Sequence, residues 1–204
     1  MRLAVVFFAL LTAACSPDIG SGTYFCGPER LCPPDLTCDD TSYTCVTPAS
    51  AMPFSCPAGF DDTEPDSDMA NARDLGELEC GVPAIQNATS CVVAGDAGDY
   101  YKFVYNQDCQ GANPHLEIRL RYPIALVPLQ LELLDGSGTV LASGELCTSP
   151  IDTTGRDRVC IDIPPVTGTT YYVRVVRPAD APNCDGDCDS NQYLLDILFP
   201  LSGS

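Results

Sequence analysis

Apolar and polar residues alternate with a period of two along most of the second half of the chain. The clearest case is the segment 115–122, in which four apolar side chains alternate with four polar ones. The same alternation returns in four later segments: 129–133, 159–163, 171–176 and 193–199. Because successive side chains of a strand point to opposite faces of a sheet, each segment predicts a strand with one apolar face.

Turn signals separate these segments. The sequence DGSG at 135–138 predicts a hairpin turn that leads into a return strand at 139–142. Two more strands are predicted at 91–93 and 100–105, and the one helical pattern is short, from Met69 to Leu75. Strands with one apolar face bury it by stacking in two sheets. The chain is therefore predicted to be all-β, an antiparallel β-sandwich.

The first fifteen residues indicate export. Arg2 precedes an apolar run at 3–11, and small residues then lead into Cys15. The run is too short to span a bilayer and is typical of a signal peptide over 1–14. The segment resembles the lipobox of bacterial lipoproteins, in which the cysteine becomes the diacylated first residue, although Thr12 stands where that family usually has Leu. The resemblance implies lipidation at Cys15; the alternative is an ordinary secretory signal cleaved near Ala14.

The cysteine count agrees with lipidation. The chain has 13 cysteines, and acylation of one leaves twelve, which can all pair in an oxidising compartment. We expect the following cysteines to form disulfides: Cys26, Cys32, Cys38, Cys45, Cys56, Cys80, Cys91, Cys109, Cys147, Cys160, Cys184 and Cys188.

Four of these cysteines lie close together over residues 26–46. This segment is too small to bury a core and needs two bridges to hold it. Knot-like precedent favours Cys26–Cys38 with Cys32–Cys45, whereas zinc is the competing interpretation. Zinc sites usually have shorter gaps between paired cysteines than the five and six residues found here. Proximity suggests Cys147–Cys160 and Cys184–Cys188, and the remaining pairings stay open.

These features divide the chain into five parts. We predict a signal peptide over 1–14, a tether over 15–25, a Cys-rich disulfide module over 26–46, a linker over 47–55 and the sandwich over 56–201.

The charge is strongly negative. There are 28 acidic and 10 basic residues, a formal net charge of −18, and Lys102 is the single lysine. Such a surface repels nucleic acid and anionic membranes, so a nucleic-acid partner is not expected. The acidic residues provide either solubility or oxygen ligands for a cation.

Five segments in order resemble the bacterial pre-peptidase C-terminal domain. They are EPDSD with the following ANA and LG at 64–76, GDYYKF at 98–103, the hairpin at 131–142, GTTYYVRV at 168–175 and YLL at 193–195. That resemblance implies a β-sandwich of jelly-roll type that accompanies secreted proteases and is not itself a catalyst. Relatives in secreted collagenases bind calcium and collagen.

The same resemblance implies a calcium site. Glu64 and Asp66 match the first ligand segment, and Asp96 and Asp99 match the second. Asp62 and Asp68 lie beside the first segment, and Ser67 stands where some relatives carry a ligand. Oxygen-only ligands from two loops suit calcium. The alternative is a solvated acidic loop in which aspartates form turns.

Catalytic motifs are missing from the sequence. His115 is the sole histidine, and neither a nucleophile elbow nor an HExxH motif occurs. We therefore expect no enzyme but a lipoprotein of the cell envelope, whose sandwich binds an envelope protein, peptide or glycan or serves as an accessory module. Ser16 favours the outer membrane. The alternative is a small carboxylate-dependent hydrolase, or an accessory subunit of an exported protease. Aromatic residues such as Tyr100 and Tyr172 on one exposed face would favour binding.

Overall fold

The computed structural model describes residues 20–60, 66–79, 82–93, 95–105, 113–147, 156–163, 169–179, 190–198 and 201–202. These residues form fourteen strands. Their bounds are β1 Thr37–Asp39, β2 Thr44–Val46, β3 Arg73–Glu77, β4 Ile85–Val92, β5 Asp99–Tyr105, β6 Asn113–Pro114, β7 Leu116–Pro123, β8 Gln130–Asp135, β9 Val140–Ser143, β10 Glu145–Leu146, β11 Arg156–Ile163, β12 Thr169–Val176, β13 Asn191–Leu198 and β14 Leu201–Ser202.

Ten of these strands form two five-stranded sheets. Sheet 1 has the order β10-β11-β7-β13-β4, and sheet 2 has the order β3-β5-β12-β8-β9. Every pairing in sheet 1 is antiparallel. Sheet 2 is antiparallel except at one edge, where β3 pairs with β5 in parallel. The predicted all-β, antiparallel β-sandwich is confirmed.

The core lies between the two sheets and follows the period of two. On β7, Leu116, Ile118 and Leu120 are fully buried while the intervening residues face outward. On the opposing sheet, the β12 residues Tyr171, Val173 and Val175 are buried in the same way, as Leu131 and Leu133 are on β8. Burial of each such side chain contributes about 1.5–3 kcal/mol. The alternation in the sequence therefore sets which face of each strand enters the core.

The predicted hairpin at 135–138 joins β8 to β9. Asp135 Oδ1 accepts hydrogen bonds from the backbone N–H of Ser137 at 2.8 Å and of Thr139 at 3.0 Å. The Ser137 hydroxyl also donates to this carboxylate, and these bonds lower the pKa of Asp135. Gly138 has a φ of +85°, a left-handed conformation that glycine adopts without a steric penalty.

The predicted helix from Met69 to Leu75 is wrong. Asp68 Oδ1 instead accepts the backbone N–H groups of Ala70 and Asn71, which closes a turn. The chain then enters β3, whose partner β5 lies almost thirty residues further along the sequence. Asp and Asn side chains stabilise such turns by capturing nearby backbone N–H groups, in competition with a helix.

Two disulfides hold the Cys-rich module. Cys26 pairs with Cys38, and Cys32 pairs with Cys45. This is the favoured connectivity, and it occupies the thiols that zinc would require. The segment before Cys26 runs beside β2, with the Cys26 N–H donating to the Tyr43 carbonyl at 2.7 Å.

The module is attached to the sandwich by packing as well as by the chain. Its buried cluster includes Tyr43 and takes in Ala125 and Leu126 from the loop after β7. Asn191 fixes that loop, because its Nδ2 donates to the carbonyl of Val127 at 2.6 Å. Within the predicted linker, Met52 N–H donates to Asp39 Oδ1 at 2.8 Å. Residues that precede the module and residues that follow it are therefore hydrogen-bonded to it.

Two further disulfides lie in the sandwich. Cys147 pairs with Cys160, as proximity suggested, and Cys56 pairs with Cys91 on β4, a pairing that the sequence left open. Cys15, with the predicted signal peptide, lies outside the described residues, as do Cys80, Cys109, Cys184 and Cys188. Within the described ranges, no helix is both long and apolar enough to cross a membrane.

Candidate functional site: a carboxyl group between the sheets

The alternation of side chains along β5 places one acidic residue, Asp99, on the buried face of the strand. Along β5, the buried positions are 99, 101, 103 and 105, and Asp99 is only 2% exposed. It is the first residue of the strand, so its carboxyl group lies near one end of the sandwich. A buried carboxyl group needs hydrogen-bond partners, because it has lost its contact with water.

Those partners come from the opposite sheet. Tyr193 on β13 donates its hydroxyl proton to Asp99 Oδ2. The hydroxyl oxygens of Tyr193 and Tyr101 are 2.8 Å apart. Since the Tyr193 proton goes to Asp99, Tyr101 donates to Tyr193. Ser90, which is the register partner of Tyr193 on β4, also hydrogen-bonds the Asp99 carboxyl group. We call these four residues the inter-sheet hydrogen-bond network.

The network has an unusual protonation state. Burial raises the pKa of Asp99 to about 8, and repulsion from Asp66 and Asp96 adds to this effect, although the hydrogen bonds from Tyr193 and Ser90 oppose it. Burial also raises the pKa of the Tyr101 and Tyr193 hydroxyl groups. At neutral pH Asp99 is therefore mostly protonated, unless a positive charge stabilises its ionised form.

The loop before β5 brings Asp96 towards this region. Asp96 Oδ1 accepts the Gly98 N–H at 3.0 Å. Gly98 has a φ of +105°, and a Cβ atom at this position would lie 2.5 Å from the Val175 carbonyl oxygen. Only glycine allows the loop to approach β12 this closely. The other oxygen of Asp96, Oδ2, is buried and has no hydrogen-bond partner among the described residues.

Asp66 is the third carboxylate near the start of β5. Its carbonyl oxygen accepts the backbone N–H of Tyr100 at 2.9 Å, which places it beside the start of that strand. Glu64, the fourth predicted ligand, and Asp62 lie outside the described residues, and Asp68 forms the turn before β3.

The three described carboxylates suit a cation in their chemistry. All offer oxygen, as calcium requires, and one buried oxygen of Asp96 has an unused lone pair. These three carboxylates do not form a compact ligand cluster, however. In the described ranges, the metal-ligating side chains with atoms within 4.8 Å of one another are Cys26, Cys32 and Cys45, which are in disulfides. Asp66 and Asp96 each repel Asp99, but the ligating atoms of the three do not all lie within this distance of one another.

The outer face of sheet 2 carries the two aromatic residues that the sequence singled out. Tyr100 is the register partner of Arg174, and Tyr172 is that of Lys102, so both rings lie on this face. Arg174 sits over the Tyr100 ring at 5.9 Å and forms an ion pair with Glu132. Tyr100 and Tyr172 are half-buried. Tyrosine and arginine are enriched at protein interfaces.

His115 lies elsewhere, at the start of β7. Its Nδ1 is 3.1 Å from Asp162 Oδ1, and both side chains are exposed on the outer side of sheet 1. The sole histidine therefore has a carboxylate neighbour but lies on a different sheet from Asp99.

Sequence reasoning identified Asp99 but missed its partners Ser90 and Tyr193. One available signal was the alternation along β5. Asp99 lies an even number of positions before Tyr101 and Phe103, so its side chain must lie on the same apolar face. The partners could not be found in this way, since Tyr193 lies 94 residues from Asp99 in the sequence.

The fold and this network define a disulfide-bonded β-sandwich with a small Cys-rich module and a buried carboxyl group that links its two sheets. No protein-family model matches the chain, and no curated protein matches it. A solved structure that is similar to it is the pre-peptidase C-terminal domain of collagenase from Bacillus anthracis. The identity is 16%, the TM-score is 0.37, and the match covers 67% of this chain and 99% of that domain. Because this TM-score is low, the fold assignment rests on the strand pairing described above.

Proposed function

We propose that this chain is an exported, lipid-anchored protein of the cell envelope, whose sandwich is a non-catalytic binding or accessory module. The observation that carries the proposal is the set of four disulfides in the described residues. Disulfides persist in oxidising compartments outside the cytosol. They agree with the predicted signal peptide and with a count of 13 cysteines that leaves Cys15 for the proposed lipid. Acylation of Cys15 and complete pairing of the others can both be read from the intact mass of protein purified from bacterial membranes.

The outer membrane remains the proposed location.

The binding surface that we propose is the outer face of sheet 2, where Tyr100, Tyr172 and Arg174 offer flat and hydrogen-bonding groups. An envelope protein, peptide or glycan is the expected partner. Pull-down from envelope extracts with the chain lacking residues 1–15 recovers such a partner if this part holds, and recovers none if it does not.

A carboxylate-dependent hydrolase is the second candidate, and one observation favours it. The raised pKa of Asp99 is a property of general acids in active sites. However, Asp99 is 2% exposed and is hydrogen-bonded to a fully buried tyrosine, so a substrate has no direct access to its carboxyl group. An accessory role beside an exported protease needs no such access and agrees with the non-catalytic proposal.

Calcium is the cofactor that we propose for the sandwich. Asp66, Asp96 and Asp99 would hold it, together with Glu64 by resemblance. A bound cation would supply positive charge that stabilises the ionised carboxylates against their mutual repulsion. It would also provide a partner for the buried Oδ2 of Asp96.

Calcium added to chelator-treated protein should therefore bind with measurable heat and raise the melting temperature. A ligand that binds only the folded state stabilises it by about 2.7 kcal/mol at a hundredfold excess over Kd. The Asp96→Asn variant should lose both effects, whereas Glu145→Gln, which removes an exposed carboxylate on β10, should keep them. If the wild-type protein gives neither heat nor a shift, the calcium proposal is wrong.

A further inference from the structure

The Cys-rich module and the residues that flank it, 20–60 in all, expose large apolar side chains on their surface. Tyr24 is 42% exposed, Phe25 47%, Met52 61% and Leu31 66%. Tyr24 and Phe25 are the most exposed aromatic residues in the described ranges. None of the four belongs to the cluster that packs against Ala125 and Leu126. The module therefore sorts its apolar side chains into a set that contacts the sandwich and a set that faces outward.

These outward side chains are rigidly presented. The segment that carries Tyr24 and Phe25 is bonded to β2, with the Cys45 N–H donating to the Tyr24 carbonyl at 2.8 Å and Phe25 bridging to Thr44. Leu31 lies between the two disulfide-bonded residues Cys26 and Cys32. It follows Arg30, which has a positive φ and forms a 2.7 Å ion pair with the buried Asp40. Exposed apolar groups held on a rigid frame lose little conformational entropy when they bind a surface.

The charge of the chain is unevenly divided between residues 20–60, which include the module, and the sandwich. Residues 20–60 contain four acidic residues, and two of these, Asp39 and Asp40, are buried. Twenty-three of the 28 acidic residues follow residue 60. The sandwich is therefore repelled by an anionic surface, whereas the module can approach a lipid interface without a large electrostatic cost.

The chain between Cys15 and the module is short, which limits how far these side chains can lie from a lipid attached to Cys15. Five peptide units separate Cys15 from Gly20, where the described chain begins, and they span at most about 18 Å when fully extended. A diacylated Cys15 lies at the bilayer surface. Tyr24 and Phe25 follow within a few residues, so the module is held within reach of that surface. Tyrosine and other amphipathic aromatic residues are favourable at membrane interfaces.

We propose that Tyr24, Phe25, Leu31 and Met52 form a lipid-facing surface, with which the module seats on the bilayer interface beside its own anchor. This inference rests on the proposed lipid anchor and adds a second, non-covalent contact with the membrane. The seated module would orient the sandwich, so that the acidic domain projects away from the bilayer.

Because the chain has no Trp, single tryptophans can report the contact. The Phe25→Trp and Leu31→Trp variants place an indole on the proposed surface. Leu146→Trp places one at a 74% exposed position on the edge of sheet 1 and is the matched control. Each chain, starting at Cys15, is coupled through the Cys15 thiol to a maleimide-bearing lipid in phosphatidylcholine vesicles with brominated acyl chains. This coupling makes the result independent of natural acylation.

On these vesicles, the emission of Phe25→Trp and Leu31→Trp should shift to the blue and lose intensity through bromine quenching, while that of Leu146→Trp should not change. Equal behaviour of all three variants, quenched or not, overturns the inference. So does a blue shift that appears without vesicles as protein concentration rises, because a second copy would then cover the surface. Failure of the anchor proposal is a separate result, namely an unacylated Cys15 in membrane-purified protein, and leaves this comparison valid.

Discussion

The Asp99→Asn variant is expected to gain stability over the wild-type protein as the pH rises from about 5 to about 8. In the folded protein the pKa of Asp99 is raised to about 8, from an ordinary value of 3.8, chiefly by burial. At intermediate pH the unfolded chain therefore releases this proton while the folded protein retains it. The contribution of Asp99 to stability is complete below about pH 4 and is lost as the pH rises to about 8.

The expected size of this effect is large. A group that is protonated in the folded state and ionised in the unfolded state changes the free energy of unfolding by about 1.4 kcal/mol per pH unit. Asparagine has nearly the same shape as the neutral acid and does not titrate, so this dependence disappears in the variant. The difference between the two proteins should therefore widen by several kcal/mol over this range.

The measurement is urea unfolding at a series of pH values in the presence of a chelator, so that bound calcium does not hold Asp99 ionised. Glu145→Gln is the control, because it removes the charge of an exposed carboxylate and should follow the wild-type curve. Parallel pH curves for Asp99→Asn and the wild type would contradict the buried, protonated state of this group.

Removal of the Cys32–Cys45 bridge should unfold the Cys-rich module. The double variant Cys32→Ser with Cys45→Ser opens a loop with a sequence separation of 13 residues, which costs about 3 kcal/mol. Few apolar contacts offset this loss, because three of the six buried residues of the module cluster are cysteines. The second bridge, Cys26–Cys38, cannot hold the strand β2 in place alone.

Trypsin provides the measurement. Arg30 is the sole basic residue in 20–60, and its ion pair with Asp40 ties it to the folded module. Cleavage after Arg30 should be much faster in the double variant than in the wild type. The matched control is Cys147→Ser with Cys160→Ser, which opens a bridge with the same separation of 13 residues on sheet 1. Equal cleavage after Arg30 in all three proteins would show that the bridge does not stabilise the module.

Much of the fold was predictable because the patterns that determine it lie within short segments of the sequence. The alternation along 115–122 and 171–176 determines which side chains are buried, and the DGSG sequence determines the hairpin at 135–138. The parallel edge strand β3 was not predictable, since its backbone partner is β5 and its own sequence contains helix-forming residues. A short segment takes the structure that its neighbour offers when its intrinsic preference is weak.

Only part of the candidate site could be predicted, because its contacts join residues that lie far apart in the sequence. The resemblance pointed to Asp66, Asp96 and Asp99, and Asp66 and Asp96 do repel Asp99 electrostatically. It did not indicate that Asp99 is buried and hydrogen-bonded to Tyr193, because that contact arises only when the two sheets stack. The disulfide Cys56–Cys91 could not be chosen either, since eight cysteines allow 105 pairings.

The intact mass of protein purified from the membranes of an expressing bacterium tests the central claim, an exported chain whose cysteines are all consumed. The predicted mass is that of a chain beginning at Cys15, increased by the acyl groups of a lipoprotein and reduced by the hydrogens lost in six disulfides. Alkylation without prior reduction should then add nothing. A chain with a free amino terminus, no acyl groups and several alkylated thiols would contradict the account.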